Sequence, residues 1–221
     1  MAAASGADMI ELDVRMSRDG ELMVLHDRRV NRTTDGSGSV FRKNLADLQT
    51  LDAGSWYARQ FAGERIPALR DVFRLLPRRV GLNIEAKTDG DRRGRSRLVY
   101  ELGRIIKKES RGRQVLVSSF DHRFLSQFHL LHPSVPTGAL YFPVRDFGKR
   151  PSRIAHRIGA GAFICSRAQV RKRFITDAHR HQLMVAVYGV NRRSHLARML
   201  KLGVDAVITD YPRQMIRLLK V

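Results

Sequence analysis

Cysteine, acidic residues and long apolar runs are all scarce in this chain of 221 residues. The single cysteine, Cys165, excludes an internal disulfide. No apolar run approaches the roughly 20 residues that cross a bilayer. The first residues also lack the basic and then apolar stretches of a secretion signal. We therefore expect a cytoplasmic protein.

The shortage of acidic residues leaves an excess of positive charge. Lys and Arg total 41 against 21 Asp and Glu, a net charge of +20. Residues 1–87 hold 14 basic and 12 acidic residues, whereas residues 88–221 hold 27 and 9. The basic residues occur as doublets, such as Lys107-Lys108, and doublets at helical spacing are typical of solvated helix faces. We expect peripheral contact with an anionic membrane and no specific nucleic-acid partner.

From about residue 80 onwards, short apolar strands alternate with helical segments. Strands of nearly continuous apolar character predict a parallel sheet that helices cover on both sides. Seven such strands favour an α/β fold of the TIM-type (β/α) barrel kind. A full barrel usually needs eight units and about 250 residues, so this chain is about one βα unit short. We expect one domain over residues 1–221.

The first third of the chain breaks this regular alternation. Asp19-Gly20 predicts a tight turn between the strands at 9–14 and 22–25. A long polar connection from Asp27 to about Arg65 shows no strong periodicity, and loops of that length are uncommon unless they are functional. Pro67 predicts the start of the helix that follows.

Acidic residues occur in two neighbouring predicted strands. Glu11 and Asp13 lie two residues apart and so point to one side of the first strand, and Glu85 and Lys87 do the same at the end of the next. Three carboxylates that meet in a barrel mouth need a cation, and oxygen ligands suit Mg²⁺ or Ca²⁺. The alternatives are a solvated strand face for the carboxylates and a simple ion pair between Lys87 and Glu85. Two such pairs within apolar strands favour the metal site.

The remaining candidate groups carry weaker signals. His26 follows an apolar strand and has the chemistry of a general acid or base, but spacing alone favours a structural or surface role. The other seven histidines fall on predicted helices or their ends, and we expect them at the surface. Cys165 lies within a predicted strand, where a buried thiol is expected. The sequence contains no glycine-rich phosphate loop, nucleophile elbow or zinc-ligand spacing.

Five segments, in order along the chain, carry motifs that are specific in combination. They are Gly6–Val40, Leu51–Leu69, Asn83–Lys87 (NIEAK), Val117–Asp121 (VSSFD) and Gly203–Pro212 (GVDAVITDYP). Together they resemble the signature of the glycerophosphodiester phosphodiesterase family. The resemblance implies a TIM barrel with a small insertion over about residues 28–65, between the second strand and its helix. It also implies hydrolysis of a small-molecule glycerophosphodiester to glycerol 3-phosphate and an alcohol, with one divalent cation, Mg²⁺ or Ca²⁺.

The resemblance also implies roles for individual residues. The metal carboxylates of the family fall on Glu11, Asp13 and Glu85. A catalytic histidine falls on His26, and the lysine that faces the phosphate falls on Lys87. The family's His-Arg-Gly strand and Glu-Asn-Thr helix are absent from this sequence. We expect a chain that lacks the first βα unit through truncation or a late start, and a degenerate member of the family is the alternative. Such a chain would have two unpaired strand edges and impaired activity.

Two other functions stay open. The chain could be a non-catalytic basic scaffold that binds anionic surfaces or nucleic acid through its rear half. It could also be a related phospholipase D-type enzyme that acts on lysophospholipids. In that case Phe120, Tyr188 and Tyr141, near predicted strand ends, would line an apolar substrate site, although aromatic residues also fill barrel cores. Tyr188 stands where the family has tryptophan. The sequence does not indicate an oligomeric state.

Overall fold

The structure, a computed structural model, describes residues 2–88 and 91–219 as one curled sheet with helices packed around it. The strands are β1 (Met9–Met16), β2 (Leu22–Val24), β3 (Gly81–Ala86), β4 (Val115–Ser119), β5 (Thr137–Leu140), β6 (Ala162–Ser166), β7 (Met184–Tyr188) and β8 (Ala206–Ile208). The helices are α1 (Leu45–Gln49), α2 (Leu69–Leu75), α3 (Arg92–Glu109), α4 (His122–Leu131), α5 (Pro143–Asp146), α6 (Pro151–His156), α7 (Lys172–Arg180), α8 (Arg193–Leu202) and α9 (Pro212–Leu219).

The sheet is an open half-barrel with the strand order β2-β1-β3-β4-β5-β6-β7-β8. Seven of its strands are parallel, and β2 alone runs antiparallel, as the second strand of a hairpin with β1. In the described part of the chain β8 pairs only with β7, and β2 covers only Val14–Met16 on the outer edge of β1. The predicted α/β fold, with its incomplete barrel, is confirmed.

The hydrophobic core lies between the sheet and the helices. Alternate strand residues such as Leu12, Ile84 and Val117 point outward and are buried beneath the helical layer. Cys165 is fully buried there, as predicted from its place in a strand. Within the described ranges, none of the helices is both long and apolar enough to cross a membrane.

The starts of α2 and α3 each have a local cause. α2 starts at Leu69 rather than at the predicted Pro67, because the Pro67 carbonyl accepts a hydrogen bond from the Val24 N–H and holds that residue in an extended connection. α3 starts at Arg92 because the Asp91 side chain caps the helix by accepting from the Gly94 N–H. Tertiary contacts and a local cap therefore decided these boundaries.

The insertion over residues 28–65 is ordered, which its lack of periodicity did not predict. It contains α1 and three turns of 3₁₀-helix at Val30–Arg32, Val40–Arg42 and Arg59–Phe61. These pack around a small apolar cluster made of Met23, Leu25, Val30, Val40, Leu48, Ile66 and Ala68. The Arg18 N–H donates to the Lys43 carbonyl, and this bond fixes the insertion to the β1–β2 hairpin.

Candidate active site

The C-terminal ends of the parallel strands meet at one edge of the sheet, called the mouth below. β1 and β3 are neighbours there, with Asp13 opposite Glu85 and Glu11 opposite Asn83. One ligand atom each from Glu11, Asp13 and Glu85 lies within 4.8 Å of the other two. The structure thus brings together all three carboxylates that the strand pattern placed at the mouth.

Lys87 lies against this carboxylate cluster. Its Nζ is 3.0 Å from Oδ1 of Asp13, and it also donates a hydrogen bond to Oε1 of Glu85. The Lys87 N–H donates to the Val14 carbonyl, which holds the end of β3 beside β1. Lys87 is therefore an ion-pair partner of Glu85, and it stands at the mouth as well.

Burial and mutual repulsion set the charge state of the cluster. Burial, reinforced by the charges of Asp13 and Glu85, raises the pKa of Glu11 to about 8. Burial also raises the pKa of Glu85, although Lys87 offsets part of that effect. The pKa of Lys87 is raised because Glu85 and Asp13 outweigh the opposing effect of burial. One ammonium does not balance three carboxylates, so the donor set fits a hard divalent cation.

His26 follows β2 by two residues and lies beside Glu11 and Asp13. Its Nδ1 is 2.7 Å from Oδ1 of Asp27, and Arg32 Nε is 2.6 Å from the other Asp27 oxygen. The hydrogen bond from Arg32, followed by that from His26, lowers the pKa of Asp27. Because the ionised carboxylate only accepts, this contact assigns the proton to Nδ1 and leaves Nε2 for proton exchange.

A pocket of about 380 Å³ joins His26 to Glu11 and Asp13, two of the three carboxylates. It is called the active-site pocket here, and its lining residues are Glu11, Leu12, Asp13, Val24, Leu25, His26, Thr33, Ala53, Trp56, Arg65, Ile66 and Pro67. The insertion therefore forms one wall of the pocket. Sequence reasoning did not identify Trp56 or Arg65, because both lie in the segment that it treated as an irregular connection.

The two predicted substrate-site aromatics both lie near the cluster. The ring centroid of Phe120 is 5.8 Å from Lys87 Nζ, and the ring packs edge-on against Phe142. Tyr188 is half-buried, and burial, followed by the nearby Cys165 and Glu85, raises the pKa of its hydroxyl. Phe120 thus lies near Lys87 and Tyr188 lies near Glu85, and neither residue lines the active-site pocket.

Tyr141, the third aromatic residue considered for this wall, lies elsewhere. It is buried and packs against Phe163 and Phe174 in the layer between sheet and helices. Its position just after β5 puts its side chain on the outer face of the sheet. Tyr141 is a core residue, and the expectation that it lines the site is wrong.

Two titratable groups near the mouth were not predicted from the sequence. Asp210 follows β8 by two residues, and its charge contributes to the raised pKa of Glu11. The same strand-end rule that identified Glu85 could have found it. His122, expected at the surface, is half-buried at the start of α4, where its Nε2 lies 3.2 Å from the Leu140 carbonyl and 2.9 Å from Arg145 Nη2. Of the other predicted surface histidines, His156, His179 and His181 are exposed.

Comparison with known proteins shows the family of the chain. Residues 1–214 match the model of the glycerophosphoryl diester phosphodiesterase family. The chain is 36% identical over 212 residues to a putative glycerophosphodiester phosphodiesterase of Bacillus subtilis (strain 168), covering 96% of this chain and 86% of the relative. It is 34% identical to a glycerophosphodiester phosphodiesterase of Caldanaerobacter subterraneus subsp. tengcongensis, with coverage of 97% and 87%.

The names of these relatives describe phosphoric diester hydrolases. The fold and the site of this chain correspond to the same class of enzyme. The chain belongs to the glycerophosphoryl diester phosphodiesterase family. The resemblance inferred from the sequence motifs is thus confirmed.

Solved structures support the fold independently. A phosphodiesterase of Oleispira antarctica, solved in complex with the product sn-glycerol-3-phosphate, superposes with a TM-score of 0.91 at 24% identity, covering 99% of this chain and 87% of that one. A glycerophosphodiester phosphodiesterase of Agrobacterium tumefaciens gives a TM-score of 0.83 at 27% identity, with coverage of 98% and 89%. The half-barrel described here is therefore the TIM-barrel fold of these enzymes.

Proposed function

We propose that this chain hydrolyses glycerophosphodiesters to glycerol 3-phosphate and an alcohol with one divalent cation, Mg²⁺ or Ca²⁺. The observation that carries the proposal is the carboxylate cluster, whose ligand atoms lie within 4.8 Å of one another beside Lys87. Glu11, Asp13 and Glu85 would hold the cation. When bound, the cation supplies positive charge that polarises the phosphodiester oxygens.

Lys87 would neutralise the part of the negative phosphate charge that the cation does not. Its ammonium is a compact point charge, and its contacts to Asp13 and Glu85 keep it protonated and aimed at the mouth. A phosphoryl oxygen placed above the cluster comes within reach of this group. Fixed positive charge in a partly buried site stabilises the charge that develops in the transition state.

His26 would move the proton. Asp27 fixes the imidazole through Nδ1, so Nε2 exchanges a proton with the attacking or the leaving oxygen. The family's His-Arg-Gly motif does not occur in these 221 residues, so we assign this role to His26 alone. Since acid/base catalysis by a positioned group contributes about 10²–10⁴-fold, we expect slower turnover than in a relative that carries both histidines.

Phe120 and Tyr188 would form the walls that hold the substrate. Phe120 covers Lys87 from one side, which limits access of water to that charge. Tyr188, on β7, lies near Glu85 and Lys87 at the opposite part of the mouth. The product complex of the Oleispira antarctica enzyme supports a glycerol phosphate ligand on this fold.

The proposal is tested by incubating the folded chain with glycerophosphocholine in Mg²⁺, in Ca²⁺ and in EDTA. Release of glycerol 3-phosphate in one of the cations, and its loss in EDTA, is the expected result. A parallel incubation with lysophosphatidylcholine distinguishes a phospholipase D-type activity, which would cleave the lipid in preference. A folded chain that cleaves neither substrate in either cation would instead be the non-catalytic basic scaffold, and the proposal would be wrong.

A cytoplasmic location and a single domain over the whole chain stay predictions. We propose both on the sequence features given above, together with peripheral contact of the basic surface with anionic membranes. Fractionation of cells that produce the protein, followed by immunodetection, would test the location.

A further inference from the structure

A second and larger hollow, of about 550 Å³, lies on the insertion. It is called the Phe41 pocket here, and its lining residues are Arg28, Arg29, Ser37, Gly38, Ser39, Phe41, Arg42 and Lys43. None of these residues lines the active-site pocket. Four of the eight are cations and none is acidic, a composition that indicates an anionic ligand.

The cations are arranged around an aromatic ring. The Arg28 guanidinium carbon is 5.8 Å from the Phe41 ring centroid, and that of Arg42 is 5.9 Å from it. The Phe41 ring itself is 41% exposed. Arginine over an aromatic face keeps its charge and its donors while it loses side-chain freedom, which prepares it to bind an oxyanion.

Two of the four basic groups of the pocket, those of Arg42 and Lys43, are not neutralised by the acids of the insertion that the structure describes. Within the described residues, the Arg42 guanidinium and the Lys43 ammonium take part in no ion pair or hydrogen bond. Asp47 accepts from the Asn44 N–H, and Asp52 accepts from the backbone N–H groups of Ser55 and Gly63. These acids stabilise the loops of the insertion, and Arg42 and Lys43 keep their capacity to bind a ligand.

We propose that the Phe41 pocket is a second anion site, which binds the phosphate group of a ligand outside the active-site pocket. Guanidinium and ammonium groups are the side chains that recognise phosphate, and the short Ser37-Gly38-Ser39 loop lets an oxyanion approach closely. Phe41 supplies an apolar contact for the organic part of the ligand. The phosphate can come from a phospholipid headgroup or from a soluble anion. The inference does not rest on the proposed hydrolysis, because none of these residues is assigned to it.

Two double variants test the site. R42Q/K43Q removes two charges from the pocket. K107Q/K108Q removes two exposed charges from the end of α3, which does not line the pocket, and is the matched control. Binding is measured by sedimentation with phosphatidylglycerol and phosphatidylcholine vesicles, and by calorimetric titration with inorganic phosphate. Circular dichroism and glycerophosphocholine hydrolysis, expected to be unchanged in both variants, report on folding and on the active site.

We expect R42Q/K43Q to bind at least about tenfold more weakly, since one basic residue at an anionic surface contributes roughly fivefold in affinity. K107Q/K108Q should bind nearly as well as the parent chain. Loss of binding to phosphatidylglycerol vesicles identifies a lipid headgroup as the ligand, and loss of binding to inorganic phosphate identifies a soluble anion. Equal losses in both variants would show that only net charge matters and would overturn the proposal. So would a parent chain that binds neither probe.

Discussion

Asp13 and Glu85 lie directly opposite each other on the neighbouring parallel strands β1 and β3. Two carboxylates at this spacing repel each other unless a cation lies between them, and Lys87 contacts both. Glu11 adds a third carboxylate to the same group. The register of two strands thus creates a site whose negative charge is only partly balanced by the protein itself.

Replacing Lys87 with methionine tests the role of its positive charge in this site. We expect K87M to lower kcat for glycerophosphocholine by about 10²-fold or more, because a fixed charge at the phosphate contributes on that scale. The measurement is steady-state kinetics at saturating cation. K107M removes an equal charge at an exposed position on α3 and should leave kcat unchanged. Equal rates for K87M and the parent chain would remove Lys87 from the mechanism.

The hydrogen bond between His26 and Asp27 predicts a larger loss of activity for a variant of His26 than for a variant of Asp27. H26Q should lose about 10²–10⁴-fold in kcat, because it removes the group that exchanges the proton. D27A should lose less, because it keeps the imidazole and removes only the partner that orients it. Steady-state kinetics with glycerophosphocholine at saturating cation measures both losses. A kcat that H26Q leaves unchanged would contradict the role of His26.

The raised pKa of Glu11 makes the stability of the metal-free chain depend on pH. The group titrates at about 8 when folded and at the ordinary 4.5 when unfolded, so between these values the folded state binds more protons. Stability in EDTA should therefore fall as pH rises from about 4.5 through about 8. We expect Tm to fall by at least about 2–4 °C over this range, which corresponds to roughly 1 kcal/mol for a chain of this size.

E11Q provides the check on this prediction. The variant lacks the titrating carboxyl, so its Tm in EDTA should decline less between pH 5.5 and 8.5. Saturating cation should likewise reduce the decline in the parent chain, because it favours the ionised cluster. Parallel Tm curves for E11Q and the parent chain in EDTA would show that the charge of Glu11 is balanced by other means.

Arg113 lies away from the mouth, and we expect its replacement to destabilise the fold. It is buried, and its Nη1 donates to the Pro77 carbonyl at 2.8 Å while its Nη2 donates to the Leu76 carbonyl at 2.7 Å, just after α2 ends. R113M should lower the free energy of unfolding by about 2 kcal/mol or more and Tm by roughly 4–8 °C. Thermal unfolding of R113M beside K107M measures this. A loss of less than about 1 °C would mean that water replaces the guanidinium.

Much of the fold and the core of the site could be predicted because they depend on short-range patterns. The apolar strands and the helices between them gave the barrel, and the i, i+2 spacing of Glu11 and Asp13 gave the carboxylate face. His26 was different, since its position next to the cluster depends on the packing of β2 against β1. Only the family resemblance identified it as a candidate.

The features that were missed depend on tertiary contacts. The insertion has short 3₁₀ turns, which leave no long period in the sequence, and its small core forms only when the chain folds back onto Met23 and Leu25. Tyr141 lies one residue beyond β5. Neighbouring residues of a strand point to opposite faces of the sheet, so an error of one position in the predicted strand moves the side chain from the core to the mouth. Trp56 reaches the active-site pocket only through that folded insertion.

The most direct test of the account is the rate of glycerol 3-phosphate release from glycerophosphocholine by the parent chain and by E85Q, measured against free Mg²⁺ and free Ca²⁺. Glu85 is the most buried of the three carboxylates, and the amide keeps its size while it removes its charge. The account predicts saturable activation of the parent chain by one of the cations and a loss of at least about 10²-fold in E85Q. Activity in E85Q equal to that of the parent chain, or hydrolysis that persists in EDTA, would contradict a metal-dependent reaction at this cluster.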